Sequence, residues 1–174
     1  IATLDVASGG RAELGLGAGW KEDEFLAYGF GFPPLRTRME NLEDALEIAT
    51  RMLSGERATY EGPTAKVRGA INVPRGLQQP RVPIMVGGNG PNRTWRLAAR
   101  YADELNLDWL TPEEVVANRP VIASRCDEVG RDPGSLRISV NIGRDDSAVE
   151  GAPRIDLLRR YADAGVDRVM TLVR

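Results

Sequence analysis

Gly87-Gly88-Asn89-Gly90-Pro91 stands between a short apolar run and an amphipathic segment, and its residue types suit an anion. Glycines reach positive φ and leave bare backbone for a ligand to approach. Arg93 and Thr94 follow, a cation and a hydroxyl where a phosphate would use both. Before the loop, Ile84-Met85-Val86 reads as a strand buried on both faces. After it, Trp95, Leu97, Ala98, Tyr101 and Ala102 recur at helical spacing, so a helix starts near Arg93-Thr94. Strand, glycine loop and helix N-terminus together offer free N–H groups and the positive end of a helix dipole. The expected ligand is the phosphate of a cofactor. The alternative is a βα turn that binds nothing.

What the chain lacks narrows the chemistry. It has 174 residues, no histidine and one cysteine, Cys126. A Ser-His-Asp site, a Cys-His pair, a His-ligated metal or a Cys-rich zinc site cannot be assembled from it, so no metal is expected. An organic cofactor would carry the hard chemistry, with the protein binding and orienting it. The formal net charge is −2 with acids and bases interspersed, which gives no basic face for nucleic acid or an anionic membrane. No stretch approaches the roughly 18 consecutive apolar residues of a membrane span, and no signal-peptide pattern is present. A single cysteine rules out an internal disulfide framework and fits a reducing cytoplasm.

The elements that must position the loop can be taken in order. Ile1–Val6 reads as the tail of something already under way, stopped by Ala7-Ser8-Gly9-Gly10-Arg11. Leu14 and Leu16 alternate with glycines in a short strand that leads into Gly17-Ala18-Gly19-Trp20. Nucleotide- and S-adenosylmethionine-binding folds also place glycines after a first strand, but they need a helix directly after the loop. Here Lys21–Phe25 leads to an aromatic stretch, Tyr28–Pro34, expected to be irregular, so the methyltransferase reading loses. Met39, Leu42, Ala45, Leu46, Ala49, Met52 and Leu53 form a helix that Ser54-Gly55 closes. Residues 56–82 read as an inserted loop region with short edge strands at 58–60, 65–67 and 70–73, the kind of segment that often covers a site.

Beyond the central unit, Leu105-Asn106-Leu107 is a candidate strand. Thr111-Pro112-Glu113-Glu114 combines an N-cap, proline at the first helical position and a capping-box glutamate. Val115, Val116, Ile122, Ala123, Cys126 and Val129 are expected on one apolar side of that helix, with Pro120 kinking or interrupting it. Leu136–Ile142 alternates as a strand, 144–153 is loop-like, Ile155–Ala162 is a last helix, and Val166–Val173 a last strand. Arg100-Tyr101-Ala102-Asp103 and Arg160-Tyr161-Ala162-Asp163 each end a helix just before a strand, an echo of repeated βα units. Alternating strands and helices imply an α/β fold with a parallel sheet. About five strands are expected, near Leu14, Ile84, Leu105, Ile138 and Val169, against the eight of a βα barrel of about 250 residues. The expectation is one domain over 1–174, the later part of a TIM-type (β/α) barrel, incomplete and without its N-terminal units.

Three stretches carry a resemblance: Thr3–Arg11 running into Leu14–Trp20, then Pro83–Asn106, then Ala162–Met170. In that order they resemble the bacterial luciferase-like monooxygenase superfamily, above all its deazaflavin (coenzyme F420) oxidoreductases. The resemblance implies a (β/α)8 barrel that binds F420, or FMN, at the C-terminal ends of the strands and oxidises or reduces a small organic substrate. It implies that Gly87, Gly88, Gly90, Pro91, Arg93 and Thr94 surround the cofactor phosphate. It places Gly17, Gly19 and Trp20 on the ring or substrate side, and assigns no catalytic side chain. Relatives usually have glycine-tryptophan before the asparagine where this chain has Glu104-Leu105, a change expected at the rim of the pocket. Relatives also begin with roughly three more βα units. A truncated, non-catalytic cofactor-binding or assembly module is therefore the second functional expectation. Open sheet edges near Leu14 and Val169 would pair with a second copy, which makes a homodimer the expected assembly.

Overall fold

The computed structural model describes residues 1–143 and 150–171. The chain divides into two compact units, Ile1–Pro83 and Ile84–Arg174.

The first unit opens with helix α1 (Ala2–Ser8), stopped by Gly9 in the left-handed conformation at φ 68°. Strand β1 (Leu14–Leu16) follows. Helix α2 (Glu22–Ala27) then stands directly after the Gly17–Trp20 loop, where no helix is expected from the sequence. Its cause is local: Glu22, Asp23 and Glu24 fill the first turn, where carboxylates complement the helix dipole. The same three acids repel a phosphate, so this helix start gives no support to a nucleotide-binding reading of the preceding glycines. Tyr28–Pro34 forms no helix or strand, as expected, and its rings pack. Phe25 and Phe32 meet edge to face with centroids 5.2 Å apart, and the Arg38 guanidinium lies 4.2 Å over Phe32.

Helix α3 (Leu35–Leu53) starts directly after Pro34 and buries Met39, Leu42, Leu46 and Leu53. It also buries a carboxylate. Asp44 is 1% exposed and accepts from Tyr60 Oη (2.8 Å), Thr64 N (2.8 Å), Thr64 Oγ1 (2.7 Å) and Ala65 N (2.8 Å). Those donors belong to the hairpin of β2 (Ala58–Glu61) and β3 (Lys66–Ala70), so Asp44 fastens the inserted region to the helix. Gly62 is required at its tip: a Cβ there would fall 2.1 Å from Asp44 Oδ1. The expected third strand at 70–73 is absent beyond Ala70, for Ile71–Val73 find no ladder partner. A second buried carboxylate, Asp5, holds the other end of the insertion by accepting from Leu77 N, Gln78 N and Gln78 Nε2.

The second unit is a parallel sheet with strands in the order β4 (Ile84–Gly87), β5 (Glu104–Asp108), β6 (Arg137–Asn141) and β7 (Arg168–Met170). Helix α4 (Thr94–Tyr101) connects β4 to β5, and α5 (Pro112–Asp127) connects β5 to β6. Helix α6 (Ala152–Asp163) precedes β7. All five expected strands exist. The last is described to Met170, and the remainder of the segment expected up to Val173 reaches outside the described residues, as does part of 144–153.

Helix α5 begins as its sequence directs: Thr111 caps Glu114 N, Glu114 returns a bond to Thr111 N, and Pro112 opens the first turn. Pro120 does not interrupt it, since the helix runs on to Asp127. Val115, Ile122 and Cys126 are buried, whereas Val116 and Val129 face outward, so the apolar stripe is narrower than the sequence suggested. Burial pushes the Cys126 thiol up, which fits packing rather than reactivity.

Along the strands the two faces differ in chemistry. Leu105, Leu107, Ile138 and Val140 are buried under the helices. The alternate positions carry Glu104, Asn106 and Asp108 on β5 and Arg137, Ser139 and Asn141 on β6, in register with one another. Met85 on β4 is half-buried, while Ile84 and Val86 are fully buried, so β4 is closed on one face rather than on both. The polar row explains this: the opposite face of the sheet is not an apolar core.

Candidate functional site

At the C-terminal end of β4 the backbone leaves the sheet through Gly87-Gly88-Asn89-Gly90 and enters α4 at Arg93, its N-cap. Of the loop glycines only Gly88 takes a positive φ, 129°. Its amide donates to Asn106 O (2.9 Å), so Gly88 supplies a turn and not a free N–H. Gly90 is required for another reason: a Cβ there would sit 2.8 Å from Thr94 Oγ1. Gly87 is different again. Nothing lies within 4 Å of where its Cβ would be, so the end of β4 presents open backbone. Among the described residues no backbone carbonyl accepts from the amides of Asn89, Gly90, Asn92, Arg93 or Thr94. Such amides at a helix N-terminus suit an anion.

Arg93 is exposed and makes no ion pair among the described residues. Thr94 is nearly buried, with its side chain against Gly90 and Gly88. Pro91 is exposed, and its carbonyl accepts from Arg125 Nε at 2.9 Å. The neighbouring Asn92 carbonyl accepts from Arg96 Nη1 at 3.1 Å. Both arginines also grip Glu128, which the hydrogen-bonded Arg96 guanidinium holds down at about 2, with Arg125 adding to the effect. From the inner side, the Trp95 indole donates to Gly88 O at 3.0 Å. The loop is thus tied from both sides while Arg93 is left facing solvent. Such a loop is held in one conformation before anything binds to it.

A second set of polar groups adjoins it, and the sequence reading missed them as site residues. Asn89 Nδ2 donates to Asp108 O (2.7 Å) and Asp108 N donates to Asn89 Oδ1 (2.9 Å), which clips the glycine loop to the end of β5. Asn141 Nδ2 donates to Asp108 Oδ1 at 3.2 Å, and Asn106 Nδ2 donates to Ser139 Oγ at 2.9 Å. The available signal was the alternation in Leu105-Asn106-Leu107-Asp108 and in Ile138-Ser139-Val140-Asn141, polar at every second residue of a strand in a parallel sheet.

Glu104 is not at the rim. It begins β5, four residues before Asp108, and about 13 Å separates the two at the strand rise of about 3.3 Å per residue. It is buried and pairs with Arg168 Nη2 at 2.7 Å and Arg137 Nη2 at 3.5 Å. Its role is to neutralise the N-terminal end of the sheet.

Gly17, Gly19 and Trp20 follow β1 in the first unit. Gly17 is exposed, and Gly19 has φ 72°, with its carbonyl accepting from Arg38. Trp20 projects into solvent at 73% exposure. Cavities of about 340 Å³ flank α5, lined in one case by Val116, Arg119, Pro120 and Ile138 and in the other by Pro112, Glu113, Arg160 and Asp163. Neither includes a residue of the glycine loop, and in the second Glu113 and Arg160 are paired with each other.

The family described as Luciferase-like monooxygenase matches residues 1–144. An uncharacterized protein of Mycobacterium tuberculosis is 32% identical over 173 residues, 98% of this chain and 55% of that protein. The chain therefore spans little more than half the length of that relative. An F420-dependent glucose-6-phosphate dehydrogenase of Microbacterium testaceum is 39% identical over 103 residues, 59% of this chain and 30% of that one. Among solved structures, an F420-dependent secondary alcohol dehydrogenase in complex with an F420-acetone adduct superposes with a TM-score of 0.78 at 17% identity, covering 98% of this chain and 66% of that one. The coenzyme F420 dependent tetrahydromethanopterin reductase of Methanopyrus kandleri gives 0.77 at 19%, covering 98% and 70%. These likenesses show the fold, α/β with a parallel sheet, and a partial barrel is compatible with them.

Proposed function

The chain belongs to the luciferase-like monooxygenase family, and from that premise we propose that it binds coenzyme F420, with FMN as the alternative, for the oxidation or reduction of a small organic substrate. The observation that carries this reading is the open backbone at Gly87 beside amides that, among the described residues, no backbone carbonyl accepts from, with Arg93 exposed and making no ion pair among those residues at the start of α4. A phosphate fits that donor set, while a Cβ at Gly87 would fill the approach to it. Relatives named as F420-dependent support the deazaflavin over FMN. When bound, the cofactor supplies two-electron redox chemistry. This chain's residues do the rest of the work here: α4 and Arg93 hold the phosphate, Gly87 lets it approach, and Asn89 and Trp95 keep the loop in place.

Turnover is proposed for a protein of the relatives' full length, and cofactor binding for this chain. Arg93→Ala is expected to weaken F420 binding and to make what remains less sensitive to salt, because a screened cation–phosphate attraction has been removed. Titrations at two ionic strengths measure this. Overlaying curves for variant and parent would mean that Arg93 is only a solvated residue.

The proposed compartment is the cytoplasm, on the single cysteine. Among the described residues no helix is long and apolar enough to cross a membrane. The proposed partner is a second copy of the chain, since Trp20, Leu26, Tyr28, Phe30 and Leu35 all expose large apolar surface. A dimer burying more than about 1,600 Å² is expected. Light scattering at low micromolar concentration should give twice the 19.0 kDa mass, and a stable monomer would remove the proposal.

A further inference from the structure

Trp109 is the only residue other than glycine with a positive φ among the described residues, at 58°. For a bulky side chain that conformation is a genuine outlier, and glycine would hold it at no steric cost. The indole gains little from packing in return: Trp109 is 63% exposed, whereas Trp95 is 2% exposed. The backbone is fixed from both directions. Trp109 N donates to Asn141 O at 2.8 Å, and the preceding Asp108 has both its amide and its carbonyl bonded to the Asn89 side chain. Strain of this kind persists where the surroundings over-determine it, and it gathers at ligand sites.

The position gives the strain a use. Trp109 follows the last residue of β5, at the same end of the sheet as the glycine loop, and its neighbour Asp108 is bonded to that loop through Asn89. A ligand whose phosphate lay at the start of α4 would carry its polyol chain and planar ring across this end. We propose that the Trp109 indole is a stacking platform for the planar heteroaromatic ring of the ligand whose phosphate the glycine loop holds. This rests on the phosphate reading above and adds the surface that would recognise the ring. An exposed indole beside bonded strand ends offers one flat face, and ring–ring contacts with such a face are favourable in offset geometry.

The test is calorimetric titration with two probes, F420 and its chromophore lacking the phosphate-bearing tail, against the parent, Trp109→Gly, Trp109→Phe and Arg93→Ala. Trp109→Gly should weaken both probes at least tenfold, while its melting temperature stays at or above that of the parent because the backbone strain is relieved. Trp109→Phe should recover most of the affinity. Arg93→Ala should weaken F420 and leave the phosphate-free chromophore unchanged. If Trp109→Gly binds both probes like the parent, the platform is overturned while the phosphate site stands. If Trp109→Gly loses both probes while Arg93→Ala overlays the parent, the indole contact stands and the phosphate assignment falls. A parent that binds neither probe overturns both.

Discussion

Gly87→Val is expected to weaken F420 binding at least tenfold, about 1.4 kcal/mol, with an unchanged melting temperature. The two halves of that expectation come from one observation. Gly87 has no atom within 4 Å of its Cβ position and no positive φ, so the fold itself tolerates a side chain there. Valine also suits a strand end better than glycine does. The only thing displaced is a ligand that approaches the backbone of β4. Gly88→Val also reduces binding but is a poorer test. At φ 129° and with its Cβ 3.4 Å from Thr94 Cγ2, that substitution distorts the loop whether or not anything binds. Calorimetry of Gly87→Val beside a thermal melt separates the two effects. Parent-like affinity in this variant would remove the glycine loop from the site.

Asp44→Ala is expected to have the largest effect on stability. The carboxylate accepts four hydrogen bonds from Tyr60, Thr64 and Ala65, and alanine would leave those donors without a partner. At roughly 1 kcal/mol for each bond, discounted for the partial exposure of the donors, the loss is about 3 kcal/mol. A urea denaturation midpoint measures it. The pH dependence has a definite sign. Burial alone would raise the Asp44 carboxyl, but the bonds from Thr64, Tyr60 and Ala65 outweigh burial and hold it below its ordinary value of 3.8. Its contribution is therefore fully present above that value and disappears as the pH falls through the lowered one. The gap in stability between parent and Asp44→Ala should narrow in acid below about pH 4. Tyr60 reports the same contact from the other partner, its hydroxyl pushed up to about 12 chiefly by the bond to Asp44. A gap that stays constant in acid would mean that the carboxylate is not the group fastening the hairpin.

The parts of this molecule that could be read from sequence are those whose cause is local. Thr111-Pro112-Glu113-Glu114 contains every atom of its capping box within four residues, and the structure forms it. Ile84–Tyr101 declares its strand, turn and helix through periodicity and glycine, and all three occur where expected. The individual jobs of Gly87, Gly88 and Gly90 were not legible. One is an open approach, one a turn, and one avoids Thr94, and these depend on what folds against them. Helix α2 was missed because the aromatic residues around it masked the acidic first turn. Glu104 was misplaced because a sequence comparison does not say which end of a strand a residue occupies. The grouping of Asn89, Asp108 and Asn141 was not legible because the hydrogen bonds joining them cross three strand ends. The alternation in β5 and β6 showed only that one face is polar.

The most direct measurement is a calorimetric titration of the purified chain with F420, with FMN run in parallel. Saturable binding of F420, weaker for Arg93→Ala and at least tenfold weaker for Gly87→Val while both variants remain folded, is the predicted result. Failure of the folded parent to bind either cofactor would contradict the assignment of the β4–α4 glycine loop as a phosphate site.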